Sequence, residues 1–288
     1  MNVKYLLFYL LMVGCLWHVP FAQSQTDSTA TDDTPQVKMR GFKLWGEFYD
    51  ESTVFQKLDN NLLSTSHIRQ GLRYYWTPSI YTEAYGMVRY GKDLNRDFWN
   101  NRFEGGLGLR TRFFRKVFLA LYLEGIVGSY TDIPMDYPQP DSRKYDDLRG
   151  GLIFWYGWDT WFSPKRWISI PMIFWGEIYS EINYFRSDNN NVFGYLHSRA
   201  GFHLLRLWKA DIDAYGVIYL LKDINKDFWN NKVDVGPGVW IRPWSGFSLQ
   251  LYIEWLYVSY FGIEGNDPNP YSQRHTDRRM GILLWLGW

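Results

Sequence analysis

Cysteine is almost absent from this chain. The one cysteine in 288 residues, Cys15, lies in an N-terminal leader. Lys4 gives that leader a weak basic start, residues 5–13 form a short apolar stretch, and Pro20 ends it. Ala22-Gln23-Ser24 fits a small-residue cleavage site, with a cut after Ala22 as the alternative. Nine or ten apolar residues are too few to cross a bilayer as a helix. Met12-Val13-Gly14 before Cys15 makes a poor lipobox, so lipid attachment at Cys15 competes with its removal. Once the leader is gone no cysteine remains, which excludes a disulfide scaffold and thiol catalysis. Long apolar runs are missing as well. No stretch of about 20 apolar residues follows the leader, so spanning helices are excluded. Neither sign of charge dominates: 31 Lys and Arg stand against 30 Asp and Glu, a net charge of +1. That balance argues against a nucleic-acid surface.

Aromatic residues, by contrast, are abundant. They make up 20% of the chain, with 16 Trp and 22 Tyr, yet the mean hydropathy is −0.34. The chain also repeats itself. Lys92-Asp93-Leu94-Asn95-Arg96-Asp97-Phe98-Trp99-Asn100-Asn101 returns as Lys222-Asp223-Ile224-Asn225-Lys226-Asp227-Phe228-Trp229-Asn230-Asn231, an offset of 130. At that offset residues 45–158 align on 175–288 without a gap, with about 41 identities in 114 positions. One unit has been written twice.

Within each unit apolar and polar residues alternate. Phe247, Leu249, Leu251, Ile253 and Trp255 share one face of a strand, with Ser248, Gln250, Tyr252 and Glu254 on the other. Six strands are expected per unit, at about 38–51, 64–77, 79–91, 102–113, 117–130 and 145–158. The second set follows at about 168–181, 194–207, 209–221, 232–243, 247–260 and 275–288. Long connections (52–63, 92–101, 131–144 and their counterparts) alternate with short ones at Pro78, Arg115-Lys116, Asp159–Arg166, Trp208 and Trp244–Gly246.

Exported, aromatic-rich, free of cysteine and built of alternating strands, the mature chain resembles outer-membrane β-barrels in general, with porin-like proteins among them. Its last residues, Leu284-Trp285-Leu286-Gly287-Trp288, look like the terminal signal that the barrel assembly machinery reads. The expected fold is all-β: a twelve-stranded antiparallel transmembrane barrel of two tandem six-stranded repeats. Residues 1–24 would be the signal peptide, 25–36 a disordered periplasmic tail and 37–288 the barrel. Within the barrel, repeat one is 37–158, repeat two 167–288 and the connecting turn 159–166. The resemblance implies the outer membrane of a Gram-negative bacterium, with outer-membrane lipid around the barrel.

Cost decides which face meets lipid. His67, Arg69, Gly71 and Arg73 share a face, and two mid-strand arginines in lipid would cost about 4–8 kcal/mol, at about 2–4 each. That face is therefore the lumen. Pairing the hairpins places Glu47 opposite Arg69, Glu83 near Arg110, Arg89 near Glu104 and Glu124 near Arg149. In the second unit Glu177 meets Arg199 and Glu254 meets Arg279. Two readings stay open: the pairs satisfy one another and fill the interior, or they form a charged constriction that selects solutes. Tyr85 and Tyr122 are expected opposite Gly108, and Tyr215 and Tyr252 opposite Gly238, as rings packed over glycine or as an aromatic track for saccharides.

Asp93, Asn95 and Asp97, with Asp223, Asn225 and Asp227, begin like calcium loops. Phe98 and Phe228 stand where such a loop wants glycine, and the twelfth-position glutamate is missing. A hairpin in which Asp and Asn satisfy turn backbone is the preferred reading. Twelve strands match the outer-membrane phospholipase in number, but Ser66 and His67 are adjacent in a strand and point to opposite faces. An omptin-like arrangement would use His67 and His197 with the loop aspartates, but duplication of such a site would be unusual. Twelve strands lie between the filled eight-stranded barrels and the open sixteen- to eighteen-stranded ones. The sequence thus points to a narrow passive channel for small polar solutes such as saccharides. A non-transporting docking barrel, as a surface receptor or envelope export component, is the alternative, and a rim-sited hydrolase the third reading.

Overall fold

The computed structural model describes residues 41–57, 60–94, 100–114, 117–132, 143–162, 172–187, 190–207, 210–225, 230–243, 248–261 and 274–288. They form twelve strands: β1 Phe42–Phe55, β2 Asn61–Tyr75, β3 Tyr81–Asp93, β4 Arg102–Arg112, β5 Phe118–Tyr130, β6 Lys144–Phe162, β7 Met172–Phe185, β8 Asn191–Leu207, β9 Ala210–Asp223, β10 Lys232–Arg242, β11 Ser248–Tyr260 and β12 Arg274–Gly287. Each strand pairs antiparallel with its chain neighbours, and β1 pairs with β12 to close the barrel. Closure leaves no unpaired edge.

The alternation read from the sequence is carried into the wall. Leu44, Leu72, Val88, Leu107, Leu109, Leu123, Val127, Ile182, Ile218 and Met280 are exposed on the outside, while Glu83, Glu104, Glu124, Asp213, Asp234 and Glu254 are 0–1% exposed inside. Only an apolar surrounding makes that distribution favourable. The interior also holds aromatic packing. Trp45, Tyr85, Met87 and Ile126 cluster on the first half of the wall, and Tyr215, Val217, Tyr219, Trp240, Leu256 and Val258 on the second.

Several expected boundaries move. β1 and β7 run four residues further than expected, to Phe55 and Phe185, so the connections foreseen at 52–63 and 182–193 shrink to 56–60 and 186–190. Asn60 and Asn190 turn these tight links with φ of 57° at both, a left-handed conformation that asparagine tolerates better than most residues. β6 continues to Phe162, so residues 159–162, expected in a turn, are paired with β7.

The seam rests on the C-terminus. Gly46 and Trp288 exchange two backbone hydrogen bonds of 3.0 Å. A Cβ on Gly46 would fall inside the Trp288 indole, whose Nε1 donates to Gln70 Oε1 at 2.9 Å. Trp158 covers Gly176 in the same way, the tryptophan 130 residues before Trp288 and the glycine 130 residues after Gly46.

Candidate functional site: the charged lumen

Strand register brings together the ion pairs expected from the sequence. Glu47 faces Arg69 and Glu177 faces Arg199, with Nη1–Oε1 distances of 2.8 and 3.1 Å. Glu83 meets Arg110 at 2.6 Å and Arg89 meets Glu104 at 3.1 Å. Every one of these side chains lies on the inward parity of its strand, so burial in the wall demands the partners it finds.

Two expected pairs are corrected. Glu124 is in register with Arg149 and Glu254 with Arg279, but the side chains pair elsewhere. Arg149 reaches over β5 to Glu104 at 2.6 Å and holds Asp147 at 2.7 Å. Arg279 reaches over β11 to Asp234 and holds Asp277. Glu124 instead takes Arg69 at 3.3 Å, Arg89 at 3.6 Å and the Tyr85 hydroxyl at 2.9 Å. Inward side chains converge toward the axis of a closed barrel, so a long guanidinium meets carboxylates one or more strands beyond its register partner. Arg69 of β2 touches Glu124 of β5, and Arg110 of β4 touches Glu47 of β1 at 3.5 Å. Both are chords across part of the lumen.

The tyrosines need a similar correction. Tyr85 lies over Gly108 and Tyr215 over Gly238, as expected. Tyr122 instead faces Gly151, and Tyr252 faces Gly281. All four hydroxyls are engaged. Tyr85 and Tyr215 donate to Glu124 and Glu254. Tyr122 donates to Asn183, and Tyr252 to Glu51 at 2.9 Å.

His67 and His197 stack on Tyr49 and Tyr179, with centroids 5.2 and 5.4 Å apart. Their Nε2 atoms lie 3.8 and 3.5 Å from Glu47 and Glu177. Ser66 points to the opposite face and donates to Asp50, so the Ser66–His67 pair is split by the wall.

Sequence reasoning left out a polar group at the lower end of the second half. Asp213 receives His203, the Trp240 indole and, at 2.9 Å, Arg242. A register shift between His203 and Leu205 sets Arg206 against Asp211. Shared parity with Glu83 at the offset of 130 was the signal that could have found Asp213.

In the repeated loop, Asp223 accepts the amides of Asn191 and Asn230 at 2.9 Å each and the Asn225 N–H at 2.6 Å. Asp93 accepts the Asn100 amide at 2.8 Å. These contacts tie the loop by hydrogen bonds from Asn. Asn95, Asp97 and Asp227 lie outside the described residues. Among the described residues no group of three or more His, Cys, Asp or Glu is arranged to hold a metal ion.

No family model matches the chain, and no curated protein matches it. Solved structures similar to it include the beta domain of the Bordetella autotransporter BrkA, with 12% identity, 85% of this chain and 98% of that chain covered, and a TM-score of 0.39. OprB of Pseudomonas putida is similar at 6% identity, covering 86% and 94%, with a TM-score of 0.36. The translocator domain of the autotransporter NalP from Neisseria meningitidis is similar at 10% identity, covering 90% of each chain, with a TM-score of 0.31.

Proposed function

We propose that this protein is an outer-membrane β-barrel that acts as a narrow passive channel for small polar solutes. The observation that carries the reading is a division within the lumen. Glu83, Glu104, Glu124 and Glu254 are locked in the wall at 0–1% exposure. The side chains of His67, Glu47, His197 and Glu177 keep 17, 14, 16 and 21% of their surface accessible while facing inward. Charged groups that border free space inside a closed barrel are what a selective constriction requires. The apolar exterior supports placement in outer-membrane lipid, and the strand ending on Trp288 supports recognition by the assembly machinery. The four tyrosines laid over glycines are occupied as wall packing, which leaves them unsuited to a saccharide track.

The chords from Arg69 to Glu124 and from Arg110 to Glu47 favour a second reading, a closed docking barrel. Planar-bilayer recordings of the refolded mature protein separate the two. Stepwise currents are expected, and Arg69→Ala with Arg199→Ala should enlarge them or change their ion preference. Absence of stepwise current over a broad voltage range would sink the channel in favour of the docking barrel.

A further inference from the structure

Residues 130 apart hold equivalent places in the register, so each half of the wall is a control for the other. Most inward residues at mid-lumen recur. Among those that differ, Thr65 is replaced by Tyr195, Arg89 by Tyr219 and Arg110 by Trp240. The carboxylates that Arg89 serves, Glu104 and Glu124, are kept as Asp234 and Glu254. Tyr219 donates its hydroxyl to Glu254, at 2.9 and 3.0 Å from the two oxygens. Asp234, which faces Tyr219 in register and is fully buried, retains an Oδ1 that meets no hydrogen-bond partner among the described residues. At these three positions the second half has therefore lost two cations and gained two phenols and an indole, while the acids are kept.

Glu51 and Glu181 lie beside this wall. Among the described residues they are the inward glutamates that no Lys, Arg or His meets. Glu51 accepts from Tyr49 at 2.5 Å and Tyr252 at 2.9 Å, and Glu181 accepts from Tyr179 at 2.6 Å. Both stay partly exposed inside the barrel. Tyr252, which donates to Glu51, shares a strand face with Glu254, which accepts from Tyr219, and Tyr195 is in register with Glu181. Its ring lies 6.0 Å from Tyr179 at 60°. Arg279 already covers Tyr219 at 5.6 Å, but among the described residues no Lys or Arg lies over Tyr179 or Tyr195.

We propose that the rings of Tyr179 and Tyr195, with the carboxylates of Glu181 and Glu51, form a mid-lumen site for a small organic cation, an amine or a quaternary ammonium. Rings attract such a cation through their quadrupoles, and the two carboxylates, met by phenols rather than by cations, supply the negative charge. The first half cannot form the same site, because Thr65 offers no ring and Arg89 brings its own cation. The site rests on the channel reading for access and names that channel's solute class.

Calorimetric titration of tetramethylammonium chloride into the refolded mature barrel in detergent tests the site, with sodium chloride as control. Saturable binding is expected, weakened at least tenfold by Glu51→Gln with Glu181→Gln and, separately, by Tyr195→Thr. The Tyr195→Thr variant restores the first-half residue and decides the matter alone if the glutamine pair fails to refold. No saturable binding, or unchanged affinity in the refolded variants, would overturn the proposal. Binding without bilayer current would uphold the site and remove the channel; current without binding would do the reverse.

Discussion

Glu124 and Glu254 stand 130 residues apart in equivalent positions, and each is buried to 0–1% exposure, yet they differ in their partners. Glu124 is held by two guanidinium groups and a phenol. Glu254 is held by two phenols, with Arg199 at 3.8 Å. Removing a carboxylate that neutralises buried arginines leaves charge uncompensated, a loss of about 3 kcal/mol or more. Losing hydrogen bonds from neutral donors costs about 1 kcal/mol. Glu124→Gln should therefore lower the urea midpoint of the refolded barrel well below that of Glu254→Gln; equal midpoints would mean that the arginines re-pair at no cost. At this scale the sequence was half legible. Parity placed the paired glutamates and arginines on the inward face, and register gave Glu47–Arg69 and Glu83–Arg110. It could not give Arg149–Glu104 or Arg279–Asp234, because a pairing rule for flat ladders ignores how far a guanidinium reaches across a curved wall. The displacement of Tyr122 from Gly108 to Gly151 has a simpler cause, since inferring register through loops carries an error of about two residues.

The same limits show at the level of strands. β4, β5, β10 and β11 fell almost where periodicity put them, because their outward residues are plainly apolar. The upper ends of β1 and β2 were hidden. Their outward positions turn polar at Asp50, Ser52, Ser64 and Ser66, so the strands were expected to stop at 51 and to begin at 64. In the wall these side chains bond one another, Ser66 to Asp50 and Ser52 to Ser64 at 2.9 Å, and the backbone ladder runs on beneath them. The closing seam was legible only as a terminal aromatic. Its packing against Gly46 needs three dimensions. Gly46→Val should force the Trp288 indole off the wall and reduce the fraction of unheated protein that migrates as the compact form on a denaturing gel. Gly125→Val, where an added Cβ meets nothing within 4 Å, should leave that fraction near wild type. If both variants retain it equally, Trp288 does not secure closure.

For the whole molecule, the decisive property is an inverted distribution: leucines and valines outside, paired acids and arginines inside. A twelve-stranded barrel was legible from the offset of 130 and the period of two, because closure and parity are enforced by backbone pairing whatever the loops contain. Access to the lumen was not legible, since it depends on which inward side chains leave space between them. The lack of any cysteine after Cys15 supplies the direct test. Single cysteines would be placed inward, at Thr65 and Glu181, and outward, at Leu123 and Ile182, then challenged in lipid bilayers with a small water-soluble thiosulfonate. The inward pair should be modified and the outward pair protected by lipid. Modification of the outward pair with protection of the inward pair, or of all four alike, would contradict a membrane barrel with an accessible charged lumen.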